Sequence, residues 1–372
     1  MVAASGEAMK TIVIDARKIK STTGRYVEEL VRQLDQIDRN HLYKIIVYPE
    51  EIDYYKPKHD NVQVIAADFK HYTFGEQLGF NRLLRSLNAD LVHFYMPQQP
   101  LLYSRPAVTT VHDLNLVRIT SNDMSPLELF VKRNIFTYFL HIVARRTKHI
   151  ITPTKYTKDD LVQFAGIDPK KVTVTYEGLI DIGKPVAVPT FANKKFIVHL
   201  GRAEPYKNNR RLIEAHQRLL TRHPDLHLVI IGPIDDLRKA DMQWVSDNTY
   251  KNIHFPGFLS DEQAAWLYQR CQAFVQPSLM EGFGLPVLEA MAQGAPIAST
   301  NTTCSPEVYG DAAHYFDPYS TSEIERAIND ILTDAPLRKR LAAASKKQVK
   351  KYSWRRMAEQ TLAIYTRTLG ES

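Results

Sequence analysis

The chain has 372 residues, 44% of them hydrophobic and 24% charged, with 15 glycines and a formal net charge of +7. This length and composition fit a folded two-domain protein and exclude disordered, collagen-like and coiled-coil classes. No apolar run reaches the ~18 residues of a membrane-spanning helix. The positive excess is too thinly spread, and too little accompanied by a recognisable module, for a nucleic-acid face, although attraction to an anionic membrane stays open.

Met1 to Ala8 lacks the order of a secretory signal and reads as a short leader before a natural start at Met9. From Thr11 short β-rich runs alternate with helical patterns. Strands are predicted over 11–15, 43–48, 62–65, 90–94, 107–112, 150–152 and 172–176, and helices over 24–38, 75–87, 125–146 and 154–165. The helix over 125–146 carries Phe130, Ile135, Phe136, Phe139, Leu140 and Val143 together with Lys132, Arg133, Arg145 and Arg146. Its aromatic positions are spread around the helix, so core packing is expected, with a membrane-surface role as the alternative.

Pro185 and Pro189 interrupt the alternation. The expected organisation is an N-terminal Rossmann-like domain over 9–180, a linker over 181–194, a C-terminal Rossmann-like domain over 195–352 and a final segment over 353–372. In the second domain strands are predicted over 196–200, 226–232, 253–255, 273–276 and 297–299. Helices are predicted over 208–223, 235–248, 261–270, 285–293 and 322–333, then 336–352 and 354–369. The fold class is therefore α/β, with two doubly wound parallel sheets and ligand expected in a central cleft between facing carboxyl strand ends. Cys271 and Cys304 show no metal-ligand spacing and read as reduced structural thiols, and the expected location is the cytoplasm.

The stretch Ser278 to Gly294 carries the chemistry. Gly282 and Gly284 permit tight turns, Pro286 suits a helix start, and Leu288, Met291 and Ala292 give an apolar face. A helix entered through glycines offers unpaired amides and a positive dipole end to phosphate. Glu281 and Glu289 bracket that seat, and carboxylates suit sugar hydroxyls on either side of a diphosphate. Two glutamates eight apart also fit plain solvated charges. The run Glu-Gly-Phe-Gly-Leu-Pro-x-Leu-Glu-Ala, with seven residues between Glu281 and Glu289, resembles the signature of the retaining GT-B glycosyltransferases of the glycosyltransferases group 1 family. The resemblance extends from about Lys10 to Leu369 and is densest from Phe274 to Pro318.

After the first strand of the second domain, Arg202 and Lys207 flank a loop and can face one anion from two sides; a solvated surface pair is the plain alternative. They resemble the family's diphosphate-binding pair. At the first turn, Gly24 matches a family glycine near the phosphates, whereas Thr23 departs from the usual Gly-Gly or Gly-Ile-Gly pattern, and a helix cap by Thr22 or Thr23 explains the same residues. His112 resembles the strand-end histidine beside the transferred sugar, and Asp113 orients its loop. His93 reads as structural. Thr154 caps a helix where the family usually carries serine, and Tyr176-Glu177-Gly178 replaces a frequent Asn-Gly.

The resemblance implies a C-terminal helix crossing back to the first domain and transfer of a hexose, with a mannose-type donor favoured, from GDP-mannose or a UDP-sugar to a glycan, glycolipid or lipid-linked acceptor in cell-envelope polysaccharide synthesis. It implies catalytic roles for Glu281, His112, Arg202 and Lys207, donor contacts from Gly24, Phe283, Gly284, Leu285 and Glu289, no metal cofactor, and peripheral contact with the inner face of the membrane as an open point. A sugar-nucleotide epimerase or hydrolase, or a catalytically silent sensor, are the alternatives.

Overall fold

The structure is a computed structural model that describes residues 9–21, 24–118 and 126–371. The leader and the Thr22-Thr23 pair lie outside the described residues. The chain divides into two compact units.

The first unit contains β1 (Thr11–Asp15), α1 (Gly24–Ile37), β2 (Leu42–Val47), β3 (Val62–Ala66), α2 (Asn81–Ser86), β4 (Leu91–Phe94), β5 (Ala107–Thr110), α3 (Asn115–Arg118), α4 (Pro126–Arg146), β6 (His149–Thr152), α5 (Lys155–Ala165) and β7 (Val172–Val174). Arg118 and the first turn of α4 group with the second unit. The seven strands form one sheet in the order β3-β2-β1-β4-β5-β6-β7, every pairing parallel. Strands buried on both faces read as apolar runs, as β1 and β4 do. Val13, Ile46, Val92 and Phe94 pack with Phe80 and Leu84, while Ile150, Leu161 and Val172 form a second cluster with Val111 and Leu140.

The helix predicted over 75–87 divides into a π-helical turn (Glu76–Phe80) followed by α2. The wide turn carries the Glu76 carboxylate inward to Arg17, whose Nη2 donates at 2.9 Å, while Nε donates to Asp15 at 2.8 Å. Gly79 leaves room for the Phe69 ring, which a Cβ would meet at 2.3 Å.

Helix α4 corrects the expectation of core packing. Its later half is buried through Leu140, Val143 and Ala144, but Phe130, Val131, Ile135 and Tyr138 are exposed. Aromatic spread around a helix marked a second apolar face, since the sheet can cover only one.

The second unit runs from Leu179 to Tyr352. It contains β8 (Lys195–Leu200), α6 (Asn209–Leu219), β9 (Leu226–Ile231), α7 (Asp236–Asp247), β10 (Ile253–His254), α8 (Asp261–Arg270), β11 (Phe274–Gln276), α9 (Leu285–Ala292), β12 (Ile297–Thr300), α10 (Ser305–Tyr309), β13 (Ala313–Phe316), α11 (Thr321–Thr333) and α12 (Ala335–Gln348). The sheet order is β10-β9-β8-β11-β12-β13, again parallel throughout. Ile197, Leu228, Ile230 and Val275 meet Leu212, Ile324 and Ile328 in its core. The predicted linker contains a 3-10 turn (Pro189–Phe191) whose buried Phe191 packs against Phe196, ring centroids 5.8 Å apart.

α13 (Trp354–Leu369) belongs to the first unit. Ser353 caps it by accepting from Arg356 N, and Gly370 ends it at φ +76. It docks through Met357, Ile364 and Tyr365, with the Tyr365 hydroxyl 2.5 Å from His93 Nδ1. His93 Nε2 meets Thr110 Oγ1 at 2.8 Å, and burial pushes this imidazole down to a pKa of about 3. The histidine is thus a satisfied core residue. Gly178 lets Trp354 close in, since a Cβ there would stand 2.1 Å from Trp354 N.

Candidate functional site

Residues 278–294 fold as a loop feeding α9. Gly284 occupies the N-cap with φ +85 and ψ 50, a left-handed conformation that glycine takes at little cost. A Cβ there would lie 1.8 Å from the buried Tyr309 hydroxyl, so the position admits no side chain. Leu285 opens the helix and Pro286 follows it. Pro286 has no N–H, and Val287 N donates to the Gly284 carbonyl at 3.0 Å, which narrows the donors this end can offer an anion.

The loop after β8 is pinned against this one. Lys207 ends a 3-10 turn (Pro205–Lys207) and Asn208 turns the chain at φ +60. The buried Asn208 side chain donates to Pro277 O at 3.0 Å and Pro318 O at 2.8 Å, and Leu279 N donates to Tyr206 O at 2.7 Å. These ties set Lys207 Nζ 2.7 Å from Glu281 Oε1. The same oxygen accepts from Gln276 Nε2 at 2.6 Å, at the end of β11. The structure thus brings Lys207 and Glu281 into contact, each only slightly exposed.

Arg202 stands apart from that contact, 54% exposed in its side chain, with Nη2 3.9 Å from Asp235 Oδ2. Glu289 is buried on α9. Phe283, expected among the donor contacts, turns its side chain inward. The residue is 4% exposed and its ring packs edge-on against Tyr352 at 5.4 Å, leaving its main chain for any ligand contact. Cys304, beneath the loop, has its thiol pushed well up by burial, with the Glu281 carboxylate adding to the effect, which makes it inert.

In the first unit β5 ends at Thr110, two residues short of the expected end, and His112 lies on the loop beyond it. Its Nε2 donates to Tyr95 O at 2.9 Å, its Nδ1 is 3.4 Å from Glu177 Oε1, and the Tyr26 ring meets it edge-on at 4.7 Å. The ring is thus fixed by its Nε2 hydrogen bond, with the Glu177 carboxylate facing its other nitrogen. Asp113 Oδ1 accepts from Asn115 N at 2.9 Å and so orients the loop. Thr154 caps α5 by accepting from Thr157 N at 3.1 Å. Gly24 opens α1 with its N–H donating to Ser21 O at 2.9 Å. A Cβ at Gly24 would sit 2.1 Å from Lys18 O, so close backbone packing accounts for the glycine.

Four residues escaped the sequence reading. Gln276 and Asn208 looked like a strand end and a helix start, and Glu177 like a departure from the family pattern. Arg238 lies within the helix predicted over 235–248 and was not singled out, yet it is 1% exposed, donates from Nη2 to Gly201 O at 2.7 Å and has no hydrogen bond at Nε or Nη1. Gly232 before it was the one available signal, since a Cβ there would stand 2.2 Å from Gly201 O. Among the described residues, no three His, Cys, Asp or Glu side chains converge to hold a metal ion.

Comparison with known proteins places this geometry. Residues 185–348 match Glycosyl transferases group 1 and residues 23–180 match Glycosyltransferase Family 4, so the two together take in most of the chain. O-antigen chain mannosyltransferase B of Escherichia coli is 28% identical over 287 residues, 73% of this chain and 72% of that protein. Serotype-specific mannosyltransferase WbdA of Escherichia coli is 36% identical over 185 residues, which are 48% of this chain but 22% of WbdA, so the match spans about a fifth of that relative. Among solved structures, a glycosyltransferase from Rickettsia africae ESF-5 superposes with a TM-score of 0.75 at 18% identity, covering 98% of this chain and 100% of that one. Anabaena Alr3699/HepE, in complex with UDP and glucose, gives 0.72 at 17% identity, covering 96% of this chain and 100% of its own. Two parallel α/β units, the Lys207–Glu281 contact at the foot of α9 and these matches agree: the chain belongs to the group 1 glycosyltransferases and has the GT-B fold.

Proposed function

We propose that this protein is a retaining glycosyltransferase that moves a hexose from a nucleotide-diphosphate sugar to a hydroxyl of a glycan, glycolipid or lipid-linked acceptor. GDP-mannose is the first donor to test, because the similar Escherichia coli proteins are mannosyltransferases, and UDP-sugars are the second. The observation that carries the reading is the contact of Lys207 with Glu281 beside the glycine-capped start of α9.

As the anomeric bond breaks, negative charge builds on the departing diphosphate. Lys207 and Arg202 stabilise that charge in place of a divalent metal, an interaction worth most in the transition state. The Glu281 oxygen already accepts two hydrogen bonds, which suits a group that orients a sugar hydroxyl better than a covalent nucleophile. Glu289 holds ribose hydroxyls, and His112 lies beside the transferred sugar. The work belongs to cell-envelope polysaccharide synthesis. The test is a donor panel: the protein is incubated with GDP-mannose, UDP-glucose and other sugar nucleotides plus mannose-terminated acceptors, with and without EDTA. Transfer of one hexose from a nucleotide sugar, with retained anomeric configuration and activity unchanged by EDTA, supports the reading. Inverted product or strict metal dependence overturns the corresponding part.

A further inference from the structure

The first unit exposes large apolar side chains from two segments that touch. The turn after β3 presents Phe74, 88% exposed, with Tyr72 and Leu78 beside it. On α4, Val131, Ile135 and Tyr138 recur at spacings of four and three residues and form one outward stripe next to Phe130. Ile135 and Tyr138 are 60% and 68% exposed. The Tyr72 ring meets Phe136 edge-on at 5.6 Å, which joins the two segments. A third segment is tied in below them: Gln77 Oε1 accepts from Leu101 N at 2.8 Å, and Arg146 Nη1 donates to Leu101 O at 2.6 Å. Scattered apolar residues are normal on a surface, but a contiguous set of this size marks an interaction site.

The charge around it selects the occupant. From Phe130 to Lys148 the chain carries Lys132, Arg133, Arg145, Arg146 and Lys148, all exposed, and no Asp or Glu. Of the neighbouring acids Glu76 is buried against Arg17, and the exposed Asp68 and Glu128 are outnumbered by these five cations and the exposed Lys70. Two copies of this chain meeting face to face across a twofold axis would set the basic segment against itself. An anionic lipid surface instead offers hydrocarbon to the aromatic and aliphatic tips and phosphate to the cations around them.

We propose that this face of the first unit docks on an anionic bilayer, with Phe74, Phe130, Ile135 and Tyr138 entering the interface and Lys132 and Arg133 held at the headgroups. The proposal rests on the transfer reading only in that a lipid-borne acceptor gives docking a purpose, and it is tested without turnover.

The experiment is flotation of the full chain with vesicles of phosphatidylglycerol and phosphatidylethanolamine, and separately with neutral phosphatidylcholine vesicles, in the absence of donor. The wild-type chain floats with the anionic vesicles and much less with the neutral ones, and high salt weakens the binding. Lys132→Glu and Arg133→Glu each lower the partition roughly fivefold or more, as expected for about one headgroup contact per cation. Phe74→Ser and Ile135→Ser lower it roughly tenfold, while their thermal unfolding midpoints stay near wild type because the side chains are exposed. Equal binding to neutral vesicles, or unchanged binding by these variants, overturns the proposal. So does a wild-type chain that ignores vesicles but forms a dimer that Phe74→Ser disperses, which would assign the face to a second copy. Failure here leaves hexose transfer intact, and a chain that floats but does not transfer leaves the docking face intact.

Discussion

Lys207 Nζ and Glu281 Oε1 are 2.7 Å apart, and the same carboxylate oxygen accepts from the buried Gln276 side chain at 2.6 Å. Each side chain presets the position of the other, and on the proposed reading they are the cation for diphosphate and the carboxylate for sugar. Lys207→Ala removes transition-state charge stabilisation and should lower kcat/KM by about 2–4 kcal/mol. It also leaves a nearly buried carboxylate short of its cation, so the thermal midpoint should fall as well. Steady-state kinetics well below that midpoint separates the two effects. Arg202→Ala should lower turnover without the stability loss, because its side chain is half exposed.

The two glutamates should separate kinetically. Glu289→Gln removes an interaction with the nucleotide present in ground and transition states alike, so the donor KM rises while kcat stays near wild type. Glu281→Gln acts at the sugar and on Lys207, so kcat falls first. If nucleoside diphosphate alone bound Glu281→Gln much more weakly than Glu289→Gln, the two roles would be exchanged.

Glu177 should act through His112. Its carboxylate is 3.4 Å from Nδ1, opposite the Tyr95 carbonyl at Nε2, so Glu177→Ala releases one end of the ring. A displaced imidazole should cost roughly ten- to a hundredfold in kcat with the donor KM little changed. Glu177→Gln, which keeps an acceptor at that place, should recover most of the rate. Equal kinetics for wild type and Glu177→Ala would remove the positioning role.

Stability should fall on mild acidification. Burial pushes His93 and His199 down to about 3 and His216 to about 4, against ~6.5 in an unfolded chain. Between those values the unfolded state binds protons that the native state refuses, so stability rises with pH and is lost as pH drops below about 6.5. Each imidazole contributes roughly 1.4 kcal/mol per pH unit across that window. Thermal unfolding at pH 7, 6 and 5 should show a falling midpoint, and His93→Gln should flatten the slope. A midpoint constant from pH 7 to 5 would contradict the burial of these rings.

Both sheets were legible because parallel strands buried on two faces leave continuous apolar runs, as over residues 228–231 of β9. The sixth strand of the second sheet, Ala313–Phe316, was missed because it is short and half polar, and α10 before it spans little more than one turn. The π-helical turn was invisible because its reason, Arg17, lies far away in the chain. Lys207 and Glu281 were each legible as residue types, but Gln276 and Asn208 were not, since their roles arise only when three loops meet. For α4, periodicity could not tell a buried second face from an exposed one.

The most direct test of the account is release of nucleoside diphosphate from GDP-mannose by the wild-type chain and Lys207→Ala, with and without a mannose-terminated acceptor, together with the mass of the acceptor. The account predicts release by the wild type only when acceptor is present, an acceptor heavier by one hexose, and a loss of both in Lys207→Ala. Release at the same rate without acceptor, or full activity in Lys207→Ala, would contradict it.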